Sequence, residues 1–129
     1  MAKVTIRGKE FPLCLTVAAL DQINEKCGGL SELPNFLIGD GDVSRAYRNT
    51  AWLLTLLIEE GEKNRQVCAL FDGNQTESVE LPTYEQICVM STIYTMMRYR
   101  NICLEAISES MHQDIEASYP KNAENAELE

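Results

Sequence analysis

Apolar side chains at Val4 and Ile6, then at Phe11, Leu13 and Leu15, alternate with other residues on either side of "RGKE". A period of two around a glycine-containing turn predicts an opening β-hairpin. Pro12 has no N–H to give a ladder, which places its strand at a sheet edge there. The period then changes. Thr16 offers a side-chain oxygen as a helix N-cap, and Val17, Leu20, Ile23 and Cys27 follow at helical spacing. Asp21, Gln22, Glu25 and Lys26 take the wet side, and Gly28 or Gly29 supplies the left-handed residue that ends many helices.

"LSELPNFLIGDGD" predicts a short helix capped by Ser31, with Pro34 accommodated in its first turn. Asp42 caps the next helix, expected over Val43 to Glu62. At about 100° per residue, Val43, Ala46, Tyr47, Leu53, Leu54, Leu57 and Ile58 share a broad face, opposed by Arg48, Thr55 and Glu59. Trp52 and Leu56 fall on the far side too, beside Arg45 and Asn49. Residues 67–82 hold two short apolar pieces around Asp72-Gly73, a pattern that fits a second hairpin or a plain loop equally well. Thr83 caps the longest expected helix, with Gln86 three residues on as in a capping box. Its apolar face is Val89, Ile93, Met96, Met97, Leu104, Ile107 and Met111, flanked by Met90 and Tyr94 and opposed by Ser91, Arg98, Glu105 and Glu109. Past Ser118 the chain is polar and acidic, and residues 119–129 are expected to be disordered.

The expectation is one α+β domain over residues 1–118, predominantly helical, with an N-terminal β-hairpin followed by about four helices. A length of 129 residues suits a single core, and 45% hydrophobic with 24% charged residues is an ordinary globular composition. A net charge of −9 repels phosphate backbones and anionic membrane surfaces, so neither nucleic acid nor a membrane is an expected partner. Arg45 with Arg48 and Arg98 with Arg100 are isolated pairs that make no phosphate footprint. No apolar run approaches the roughly 20 residues a spanning helix needs. "MAKVTIRGKE" has a lysine but no apolar stretch behind it, so no export signal is expected and the cytoplasm is the predicted location.

Candidate chemistry changes the picture little. The five cysteines, Cys14, Cys27, Cys68, Cys88 and Cys103, are odd in number and widely spaced, which predicts reduced thiols packed as small hydrophobes. A cysteine nucleophile needs a base within reach, yet His112 is the one histidine and Cys103 lies on the opposite face of its helix. No Cys or His pair has zinc-ligand spacing, and "GDGD" lacks the alternating ligands and closing glutamate of a calcium loop. Glu59, Glu60 and Glu62 read as a solvated helix terminus. No catalytic residue, metal or cofactor is therefore expected.

Two features point to protein binding. Tryptophan beside arginine is a frequent interface anchor, so Trp52, Leu56, Arg45 and Asn49 are candidate partner-binding residues. A second layer of the same domain over them is the competing reading. Met90, Met96, Met97 and Met111 line one helix and suit either a core or an adaptable surface. Arg100 falls within that apolar face and joins the candidates, pairing with an acid in the fold or across a homo-oligomer interface.

The stretches "VTIRGKEFPLCLTVAAL", "INEKCGGL" and "NTAWLLTLLIEEGEKNR" together resemble the tail assembly chaperones of long-tailed phages and gene transfer agents. That family's opening phrase G-x-x-[FY]-x-L-x-x-T is present as Gly8, Phe11, Leu13 and Thr16, and its helix ending near E-x-G as Ala51 to Gly61. The resemblance covers roughly the first half of the chain. It implies a non-enzymatic protein that binds tape measure and tail tube proteins during virion assembly in the host cytoplasm and is absent from the finished particle. The alternative is another small cytosolic interaction adaptor, or a structural component that stays in the tail.

Overall fold

Strands β1 (Lys3–Ile6) and β2 (Lys9–Pro12) pair antiparallel, with Val4 opposite Phe11 and Ile6 opposite Lys9. The two-residue turn between them has φ of 50° at Arg7 and 83° at Gly8, the left-handed pair whose twist matches that of the strands. Val4, Ile6 and Phe11 point to the core, and Leu13 follows them inward. The computed structural model describes residues 2–118; the acidic tail of residues 119–129 lies outside the described residues.

Helix α1 (Val17–Cys27) starts where Thr16 Oγ1 accepts a hydrogen bond from Ala19 N at 3.0 Å, and ends at a left-handed Gly28. It buries Ala19 and Ile23, while Val17 is left exposed. A 3₁₀ turn at Leu30–Glu32 leads into α2 (Leu33–Ile38), which contains Pro34 in its first turn as expected, but Ser31 makes no capping bond. Helix α3 (Val43–Phe71) is capped by Asp42, whose Oδ1 accepts from Arg45 N at 3.1 Å. Helix α4 (Tyr84–Met90) opens with the expected reciprocal box between Thr83 and Gln86. Helix α5 (Ile93–Ser118) completes the described chain. The architecture is α+β and predominantly helical, with five α-helices among the described residues.

Three differences from the expected elements have physical reasons. First, α3 does not stop at Glu62 but continues to Phe71. Glu62 accepts from Arg65 Nε at 2.9 Å and from Gln66 Nε2 at 2.7 Å, pairs that sustain the next turn. The helix ends instead where Gly73 N donates to Leu70 O and Asn74 N to Ala69 O, a Schellman closure. The hairpin considered for residues 67–82 is therefore not formed: residues 67–71 are helical, and those from 74 carry no strand pairing.

Second, the helix expected from Thr83 breaks at Ser91. Nine residues separate Ile87 from Met96, so an unbroken helix would turn them to opposite faces, yet both are buried. Ser91 is extended, and Thr92 restarts the chain by exchanging hydrogen bonds with Thr95, Thr92 N donating to Thr95 Oγ1 at 2.8 Å. Third, the buried face of α5 is Met96, Cys103, Ala106 and Ile107. Of the bulky face expected, only Met96 and Ile107 are covered; Val89, Ile93, Met97, Leu104 and Met111 are exposed.

Helix α3 is the centre of the molecule. Thr50, Ala51 and every residue from Leu53 to Ile58 are buried, so the helix is covered on all sides along that stretch. Glu60 and Glu62, read as a solvated terminus, are buried as well. Glu60 is satisfied by Thr16 Oγ1 at 2.8 Å and Lys63 Nζ at 3.3 Å. Glu62 holds Arg65, whose guanidinium also donates to Thr76 Oγ1 at 2.7 Å and Glu77 O at 2.9 Å, pinning the loop after α3 against the helix.

Gly61 lets the end of β2 cross α3 in direct contact. A Cβ there would overlap the Pro12 carbonyl oxygen and lie 3.2 Å from Leu13 Cα. An exposed helical Gly→Ala change ordinarily gains about 1 kcal/mol. Gly61→Ala should instead cost about 2–3 kcal/mol, because backbone must move to admit the methyl group; urea unfolding measures the difference. The guanidinium of Arg65 holds the Glu62 carboxyl below its ordinary value of 4.5, against the opposing effect of burial. A depressed folded-state pKa contributes stability above the unfolded value that is lost as pH falls through the folded one. Glu62→Gln should therefore cost about 1 kcal/mol at pH ~7, since Arg65 is partly in solvent, and the gap to wild type should narrow as pH falls below the ordinary carboxyl value and through the depressed folded one, in parallel urea titrations.

Candidate functional site

The stripe Arg45, Asn49, Trp52 and Leu56 follows one side of α3, and the structure divides it. Leu56 is 3% exposed and belongs to the core, so it is not a surface residue of the protein. Trp52 is half-buried and packs edge-on against Phe36 of α2, with ring centroids 5.7 Å apart and planes at 79°. Lys26 of α1 places its ammonium 5.6 Å from the indole centroid. Asn49 Nδ2 donates to the Phe36 carbonyl at 2.7 Å, and Arg45 lies 3.6 Å from Asp40 at the surface. Three of the four predicted residues therefore lie along one corner, where Trp52 and Asn49 attach α1 and α2 to the central helix and Arg45 reaches the turn at Asp40. A shallow cavity of about 370 Å³ opens beside them, lined by Cys27, Phe36, Asp40, Arg45 and Asn49 among others. Arg100 lies half-buried on α5 and takes no part in the hydrogen bonds and ring contacts that build this corner.

A larger concavity lies elsewhere. The hairpin and α4 enclose an open groove of about 710 Å³. Ile6 and Phe11 form one wall, with Leu81, Pro82, Val89 and Met90 on the other. Arg7 and Lys9 stand on the hairpin lip, and Glu80 and Glu85 on the opposite one. The groove is thus apolar along its floor with one basic and one acidic margin. Sequence periodicity could not have found it, because it joins residues 6–11 to residues 80–90. The one signal was Val89, expected on a covered face and in fact 81% exposed.

Thiol and carboxyl chemistry is dispersed. Burial pushes the Cys103 thiol up to about 12, so it stays protonated, and His112 is exposed with Nδ1 at 2.8 Å from the Ser108 carbonyl. Cys103 is buried in the core, Cys27 and Cys88 are half-buried against it, Cys14 is half-buried and Cys68 is exposed, so the expectation of thiols packed as small hydrophobes fails at Cys68. Partial burial, followed by the adjacent Cys88, raises the Tyr84 phenol. Among the described residues no three His, Cys, Asp or Glu side chains gather where they could hold a metal ion. No described helix is long and apolar enough to cross a membrane.

Neither family models, curated proteins nor solved structures provide a match to this chain. The residues themselves carry the functional argument.

The contacts of Trp52 make it a joint between three helices. Trp52→Ala should lower stability by about 2–3 kcal/mol, less than a fully buried aromatic would. Chemical denaturation followed by circular dichroism checks this, and a cost under about 0.5 kcal/mol, the ordinary surface value, would return Trp52 to the surface residues.

Proposed function

We propose that this chain is a non-enzymatic tail assembly chaperone of the long-tailed phage type, acting in the host cytoplasm on tape measure and tail tube proteins. The observation that carries the reading is the open apolar groove beside the hairpin. Phe11 belongs to the phrase on which the family resemblance rests, and its side chain forms part of that groove. The other phrase residues build the frame around it. Gly8 makes the turn, Leu13 anchors the chain in the core, and Thr16 caps α1.

An apolar floor with opposed charged lips suits an amphipathic client segment that presents acidic residues to Arg7 and Lys9 and basic ones to Glu80 and Glu85. Val89 and Met90 can adapt to such a segment without reorganising the core, since both stand clear of it. Net negative charge keeps a protein with this much exposed apolar surface in solution.

The test is co-expression with phage tail tube and tape measure proteins, followed by mass spectrometry of purified virions. Co-purification with either client, lost in Val89→Asp, together with absence from the virion, is the expected result. Retention in the finished particle would make it a structural tail component instead. Undiminished capture by Val89→Asp would move the client surface away from the groove.

A further inference from the structure

The two lips of the groove carry opposite charges and do not meet. Arg7 and Lys9 stand on the hairpin side, Glu80 and Glu85 on the other. None of the four makes an ion pair among the described residues. Attraction between the lips favours closing the cleft, and closure would also cover its apolar floor. Something must therefore hold the lips apart. Glu85 lies on α4 and is fixed by that helix. Glu80 lies on the strap of residues 74–82, which has no helix or strand of its own, so its place depends on how the strap is tied.

The strap is tied at both ends and once between. At its start Asn74 N donates to Ala69 O at 2.8 Å. At its end Leu81 packs against the core, and Pro82 leads into the Thr83 capping box. Between these ends, every hydrogen bond from the strap to the rest of the chain, among the described residues, comes from Arg65. Its Nη1 donates to Thr76 Oγ1 at 2.7 Å and its Nη2 to Glu77 O at 2.9 Å. The donor is itself held. Nε and Nη2 grip the two oxygens of buried Glu62 at 2.9 Å and 2.6 Å, and Gln66 Nε2 braces that carboxylate at 2.7 Å. A planar guanidinium gripped along one edge presents its remaining N–H groups in a fixed direction.

We infer that Arg65 is a positioning residue that keeps the groove open, by holding the middle of the strap on α3 so that Glu80 does not swing onto Arg7 and Lys9. The inference rests on the groove being the client surface. Ser78, Val79 and Glu80 are exposed, so packing does little to oppose the swing once Arg65 lets go. A released strap pairs Glu80 with the hairpin lip, lies over Phe11 and excludes the client. Lysine at this position would keep the ion pair with Glu62. As a single point of charge it would not hold Thr76 and Glu77 at the same time.

The test uses N-phenylnaphthylamine, a neutral apolar dye, titrated into the full chain and followed by fluorescence. Wild type should bind it saturably, and Val89→Asp, at an exposed position on the groove wall, should lose that binding. Arg65→Lys should bind the dye about fivefold more weakly while keeping its thermal unfolding transition. Thr76→Val, which loosens the strap without touching the Glu62 pair, should shift binding in the same direction. Adding Glu80→Gln to Arg65→Lys should restore wild-type binding. The ratio between wild type and Arg65→Lys should also shrink as salt rises to about 0.5 M, because screening weakens the attraction between the lips. A role confined to stabilising α3 predicts neither the recovery with Glu80→Gln nor the salt effect. Equal binding by wild type and Arg65→Lys, or no recovery with Glu80→Gln, would overturn the proposal. Dye binding by Val89→Asp equal to that of wild type would instead remove the groove reading on which it rests.

Discussion

The contact on which the rest of the fold depends is the crossing of the β2–α1 connector over α3. Between Pro12 and Thr16 the chain lies directly on the helix, with Pro12 O against Gly61 and Cys14 N 3.4 Å from Leu57 O. Thr16 then gives one hydroxyl two duties. It caps α1 by accepting from Ala19 and anchors that cap to α3 by donating to Glu60. Leu15 N donates to Ser110 Oγ at 3.1 Å, so the same five residues also touch α5. Hairpin, α1, α3 and α5 are located relative to one another by this short stretch of backbone. The missing side chain at Gly61 allows that closeness.

Making α3 central has a cost in polar groups, which the local hydrogen bonds offset. Thr50 and Thr55 are enclosed and return their hydroxyls to the carbonyls four residues back, Ala46 and Ala51. Glu60 and Glu62 are enclosed and paired. Outward, the same packing displaces bulk. Cys103 and Ala106 are small enough to let α5 lie close to α3, so they take the core positions, while Met97, Leu104 and Met111 are turned to the surface. The apolar surface is thus a product of close helix contact at the centre.

Local signals in the sequence were legible and tertiary ones were not. The Thr16 and Asp42 caps, the Thr83–Gln86 box and the Gly28 stop each depend on residues within four of one another, and the hairpin on residues within nine; each is found in the structure. The break at Ser91 was hidden because it answers to the simultaneous burial of Ile87 and Met96, which no window of pattern contains. Glu60 read as wet because its partner Thr16 is 44 residues away, and Glu62 because the chain that covers it is not its neighbour in sequence. At the corner beside α1 and α2, the row Arg45, Asn49, Trp52 and Leu56 stood out in the sequence because it lies off the main apolar face of its helix. Whether it faced solvent or another layer was decided by α1 and α2, through Lys26 and Phe36.

The reach of the connector's bonds bears on how the chain acquires its structure as it leaves the ribosome. Thr16 emerges early, yet its partner Glu60 lies 44 residues later, and Ser110, the partner of Leu15, 95 residues later. The turn and the α1 cap can form at once from neighbouring residues, but the strip between them has nothing to lie on until α3 is made. Its last hydrogen bond waits for α5. The amino-terminal elements are therefore first to be synthesised and last to be fixed, an order set by contact separation and not by the strength of any single bond.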